Sequence, residues 1–88
     1  MHEMSLMADL LRKVERIAEE QGRGRIVRLT VRLGALSHFS PSHFREHFER
    51  ASAGTKAEGA ALDIHTSSDI GDPRAQDVLL ESVELAEM

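Results

Sequence analysis

The sequence predicts an α+β fold in the order α-β-α-β-β, a small three-stranded mixed sheet with two helices packed on one face. Three observations lead there. Apolar residues recur at helical spacing from Leu6 to Ala18, then switch to alternation from Arg25 to Leu33. Phe39-Ser40-Pro41 has the chemistry of a helix start. Two more alternating runs, Ala60 to Thr66 and Val78 to Leu85, follow with only a turn-rich connection between them. A strand–helix–strand crossover followed by an antiparallel return closes such a sheet.

In the first helix Leu6, Met7, Leu10, Leu11, Val14, Ile17 and Ala18 share one face, and Asp9, Arg12, Lys13, Glu15, Arg16, Glu19 and Glu20 fill the other. About four turns are expected, stopped at Gly22 by a left-handed residue. In the first strand Val27, Leu29, Val31 and Leu33 should point inward and Arg28, Thr30 and Arg32 outward. The arginines read either as an anion-binding stripe or as a solvated outer face, and the solvated face is the expectation. Gly34 to His38 breaks the alternation. Ser40 then suits an N-cap, Pro41 the first helical position, and Phe39 can staple onto Phe44. Phe44, Phe48 and Ala51 mark the buried side of this helix, which should end before Gly54. In the second strand Leu62 and Ile64 face inward and Asp63 and His65 outward, His65 being simply hydrated.

Length and composition narrow the function. Residues 1–88 form a single domain, with no room for a second core. Eleven basic residues against fifteen acidic ones give a net charge of −4, which argues against nucleic acid and anionic membrane as partners. Cysteine is absent, so disulfides, thiolate zinc sites and a cysteine nucleophile are excluded. No apolar run has the length of a membrane span and no secretory leader is recognisable, so the cytoplasm is the expected location. Ser37, Ser40 and Ser42 lie near His38 and His43, but serines gather at helix caps for structural reasons, and no enzyme is expected.

The opening Met1-His2-Glu3-Met4-Ser5-Leu6 carries the most chemistry. A terminal amine on Met1, the amide and imidazole nitrogens of His2 and the amide of Glu3 can lie near one plane, which suits Cu(II) or Ni(II) better than tetrahedral Zn(II). The Glu3 carboxylate could add an axial or outer contact. A solvated, idle histidine is the competing reading. His43 and His47, four apart on the second helix, share a face and could hold Zn(II) or Ni(II) if a third ligand were near, with His38 the nearest in sequence. Two partly exposed helix residues beside Phe44 and Phe48 is the expectation for them.

Several segments together resemble the HypA/HybF family of nickel metallochaperones for hydrogenase maturation. They are the opening six residues, Val31-Arg32-Leu33-Gly34-Ala35-Leu36-Ser37, the helix around Phe44 to Phe48, Gly54-Thr55 with Ala57-Glu58-Gly59-Ala60, and Leu80 to Leu85. The resemblance implies that His2 is the primary Ni(II) ligand, with the Met1 amine and the backbone nitrogens of His2 and Glu3 completing the plane. It further implies transient Ni(II) and delivery with a partner GTPase to a nickel-enzyme precursor, a hydrogenase large subunit or urease. The family carries a zinc module of two Cys-x-x-Cys pairs between the second and third strands. Here that place holds only a short connection at about 67–77, so no structural zinc is expected. Cutting the module at its base should be tolerated if the strands flanking it sit side by side, and a shorter excursion costs less closure entropy. The alternative is a paralogue without the zinc lobe. It would act as an interaction module or metal-responsive adaptor, using helix one or an open sheet edge and homodimerising through it.

Overall fold

The first helix forms where the apolar stripe demands it. In the computed structural model, which describes residues 3–22 and 24–86 with side chains from Leu6 onward, α1 spans Glu3–Glu20. It is five turns long and ends as its sequence suggests: Gly22, at φ 69°, donates its N–H to the Glu19 carbonyl at 3.0 Å. Strand β1 (Ile26–Leu33), helix α2 (Pro41–Ser52), and strands β2 (Ala61–Thr66) and β3 (Val78–Leu85) complete the expected order.

The start of α2 is built as its residues dictate. Ser40 Oγ accepts the His43 N–H at 3.2 Å, Pro41 sits in the first turn, and the Phe39 and Phe44 rings meet edge to face with centres 5.4 Å apart. After α2, Thr55 Oγ1 donates to the Ser52 carbonyl at 2.7 Å and accepts the Ala57 N–H at 3.1 Å. This tight turn buries Ala57 and turns the Lys56 carbonyl toward Ile26 N–H, 3.0 Å away.

Strand β1 is central. It pairs in parallel with β2, from Arg28 opposite Ala61 to Leu33 opposite Thr66, and antiparallel with β3, from Ile26 opposite Leu85 to Leu33 opposite Val78. Both helices cover one face. Met7, Leu10, Leu11, Val14 and Ala18 of α1 and Phe44 and Phe48 of α2 close over Ile26, Leu29, Val31 and Leu33 of β1 and Leu62 of β2 in one core.

Two expectations are corrected. Val27 does not point inward: it is 37% exposed, and Ile26, at 1%, takes its place. The pairing of β1 with β3 shifts between Ile26 and Arg28, and this bulge breaks the two-residue period that the sequence pattern assumes. Strands β2 and β3 do not sit side by side either. The crossover through α2 brings β2 to one edge of β1, and β3 takes the other.

The connection 67–77 therefore crosses the end of β1 and is pinned to it. Ser67 N–H donates to Leu33 O (3.0 Å), Gly34 N–H to Asp77 O (2.9 Å) and Leu36 N–H to Ala75 O (2.7 Å). Asp69 and Asp72 fold the connection on itself by accepting the Gly71 and Arg74 N–H groups, and Ala75 is buried beneath it.

Candidate metal centre

Met1 and His2 lie outside the described residues, and Glu3 opens α1. What the fold fixes is where that opening sits. At one end of the molecule Lys56 Nζ, just past α2, lies 3.5 Å from Glu19 Oε2 near the end of α1. Toward the other end Leu6, Asp9 and Leu10 line a shallow cavity with Val78 and Leu80, and Val78 is opposite Leu33 in the sheet. The helices thus run the same way, against β1. The first turn of α1, the start of α2 and the crossing connection share one end of the domain.

His38, His43 and His47 belong to that region. His38 is exposed, in the left-handed region at φ 65°, a conformation that costs a non-glycine residue about 1 kcal/mol. The rings of His43 and His47 are stacked, with centres 4.6 Å apart and planes 25° from parallel. Among the described residues no group of three or more His, Cys, Asp or Glu side chains is placed to hold a metal ion, so His38 does not complete a triad with the helical pair. Ser40 serves as the cap rather than as a nucleophile, and Ser37 Oγ is buried without a hydrogen-bond partner.

The outer face of the sheet is an ion-pair network. Arg28 lies between Asp63 of β2 (2.8 Å) and Glu84 of β3 (3.6 Å). Glu81 accepts from Arg32 Nε at 3.1 Å through one oxygen and meets His65 Nδ1 at 2.9 Å through the other. These arginines are committed to carboxylates and form no free anion stripe. His65 is not merely hydrated: with a carboxylate as acceptor, its Nδ1 carries the proton. A second shift in the pairing, between Thr30 and Val31, leaves Glu81 as the extra residue of β3, and this aims it over the outer face. No period-2 reading could have found that contact.

Glu81 gives the network a pH signature. Partial desolvation pushes its carboxyl up, but hydrogen bonds from His65 and Arg32, together with their charges, outweigh it and hold the carboxyl below its ordinary range. A carboxyl depressed by folding stabilises the folded chain above its unfolded pKa, and that contribution is lost as pH falls through the lower folded value. Melting temperature should therefore drop more steeply below about pH 4 in the wild type than in Glu81→Gln. Parallel curves, followed by circular dichroism from neutral to acid, would remove the network from the acid response.

The family model for hydrogenase/urease nickel incorporation, metallochaperone, HypA matches residues 1–71. The chain belongs to the HypA family. HypA relatives from Chlorobium limicola and Archaeoglobus fulgidus are each 42% identical over 64 residues, which is 73% of this chain and 55% and 58% of those proteins. The chain thus spans little more than half the length of the curated relatives it matches. The solution structure of the Ni metallochaperone HypA from Helicobacter pylori has a TM-score of 0.80 at 20% identity, covering 97% of each chain. That likeness extends the HypA fold through β3, beyond the matched residues. The family is one of metallochaperones rather than enzymes. Among the described residues no helix is long and apolar enough to cross a membrane.

Proposed function

We propose that this chain binds Ni(II) transiently through Met1, His2 and Glu3 and delivers it in the cytoplasm to a nickel-enzyme precursor. The acceptor would be a hydrogenase large subunit or urease, with a partner GTPase assisting. One observation carries this reading: the match to the nickel-incorporation family begins at residue 1, and α1 begins at Glu3. The first N–H groups of a helix have no acceptor within it. The amide nitrogen of Glu3, first in α1, can therefore lose its proton and ligate without breaking a helical hydrogen bond. The five turns of α1, anchored by Met7, Leu10, Leu11 and Val14, make a rigid mount. A planar site at a chain end is open on one side, so acceptor ligands can approach before the donor lets go. Because amides must be deprotonated, affinity should weaken as pH falls. No structural zinc takes part in this reading.

The test is a Ni(II) titration followed by visible absorption on protein beginning at Met1, beside His2→Ala and a version with one glycine added before Met1. A square-planar band in the wild type, lost in both variants, is the expected result. Identical weak spectra in all three would end the N-terminal reading.

The sheet favours one alternative. Among the described residues the outer edges of β2 and β3 are open, which suits a paralogue that pairs through an edge with a protein partner or with itself. A silent nickel titration together with a dimer in sedimentation would favour it.

A further inference from the structure

Among the described residues no strand pairs with the outer edge of β3, so backbone groups along Val78–Leu85 face outward on that side. The shift in pairing at Glu81 gives this strand a symmetric pattern. Val78, Leu80, Val83 and Leu85 sit opposite buried residues of β1 and are half-buried on the helical side. Leu79, Glu81, Ser82 and Glu84 lie on the outer side. From either end the order of faces is the same: in, out, in, out, out, in, out, in. Beside the strand, Leu6, Asp9, Leu10 and Lys13 of α1 and Val78 and Leu80 of β3 line a groove of about 180 Å³. Edge strands commonly carry charges that block pairing. Here both carboxylates of β3 are drawn back over the sheet, Glu81 to Arg32 and His65 and Glu84 to Arg28, which leaves the edge unguarded.

We propose that β3 pairs antiparallel with β3 of a second copy of this chain, about a twofold axis that passes between Glu81 and Ser82 normal to the sheet. This register sets Val78 opposite Leu85, Leu79 opposite Glu84, Leu80 opposite Val83 and Glu81 opposite Ser82 of the other copy. Every inward residue then meets an inward one, and no two carboxylates lie directly opposite. A slip of one residue would set inward residues against outward ones. Val83 and Leu85 of the second copy come to lie beside Leu80 and Val78, over the groove against α1, so each copy completes the groove of the other. The two three-stranded sheets become one of six strands with all helices on one face. An eight-residue strand and one groove make less than the roughly 20–30 residues a side of a standard interface, so the dimer forms only at high concentration. The proposal rests on the edge-pairing alternative and is independent of nickel binding.

The chain has no cysteine, so introduced ones report the register cleanly. Directly opposite residues of an antiparallel pair have Cα atoms about 4.5–5.5 Å apart, within disulfide reach. Leu79→Cys and Glu84→Cys are made separately in the full chain and oxidised alone and as an equimolar mixture. The mixture should give a disulfide-linked dimer, whereas each variant alone should not, because its two cysteines lie five residues apart along the strand, roughly 16 Å. In sedimentation the unmodified protein should shift from monomer to dimer as concentration rises. Val83→Lys, which carries an ammonium into the other copy's groove, should abolish that shift while circular dichroism shows the fold retained. If Val83→Lys unfolds, the cysteine mixture decides alone. A dimer whose mixture does not cross-link, or one that survives in folded Val83→Lys, overturns this register and leaves edge pairing itself standing. A monomer at every concentration overturns self-pairing and leaves only a different protein partner for the edge.

Discussion

Gly34→Ala is expected to destabilise the domain by about 3 kcal/mol, the upper end of the cost of forcing atoms into a packed interior. A Cβ at this position would lie 2.2 Å from the Ala75 carbonyl oxygen, 2.6 Å from its carbon and 2.9 Å from the Arg74 oxygen. All three are backbone atoms, so no side chain can swing aside. Relief requires lifting the connection off the end of β1, which breaks the bonds from Gly34 N–H to Asp77 O and from Leu36 N–H to Ala75 O and uncovers Ala75. The midpoint of thermal unfolding should fall by roughly 12–24 °C. Gly24→Ala is the control. Nothing lies within 4 Å of its added Cβ, and the substitution should be neutral or slightly stabilising. A Gly34→Ala protein that melts within a few degrees of the wild type would mean that the connection does not seal the strand end.

This crossing sets what a connection between β2 and β3 must do. The two strands lie on opposite edges of β1, so any connection must pass the end of the central strand. Here the short one caps it, satisfying Leu33 O and the N–H groups of Gly34 and Leu36 with its own backbone. The connection 67–77 is thus part of the hydrogen-bonded end of the sheet.

Local chemistry made most of the fold legible in the sequence. Gly22 ends α1, Ser40-Pro41 starts α2 and Phe39 staples onto Phe44 because each acts on neighbours a few residues away. Features that depend on strands meeting were not legible. The bulge that turns Val27 outward and the one that aims Glu81 at His65 both arise from β1–β3 pairing, which leaves no mark in either strand alone. The order β2-β1-β3 was hidden for the same reason. At the candidate site the spacing of His43 and His47 was visible from sequence, whereas the stacking of their rings was not. The opening Met1-His2 falls outside the described residues.

Phe44→Ala should cost about 3–5 kcal/mol, the range for emptying a buried aromatic position. A domain of 88 residues has a total stability of only roughly 4–13 kcal/mol, so the variant should be largely unfolded or melt far below the wild type. The reason lies in how little holds α2 down. Phe44 and Phe48 are its only large buried side chains, and Ser52 adds no apolar area to speak of. Phe44 is fully buried and touches both the core and Phe39. Loss of its ring therefore empties the core and opens the staple at once. Phe39→Ala separates the two effects: Phe39 is only partly buried, so most of its loss should be the edge-to-face pair, about 0.5–1.5 kcal/mol. Denaturant titrations of both variants, with helix content and a core probe followed together, should each give one coincident transition, as expected of a single small domain. Should Phe44→Ala instead lose helix content while the sheet melts unchanged, α2 would be an appendage rather than half of the helical layer.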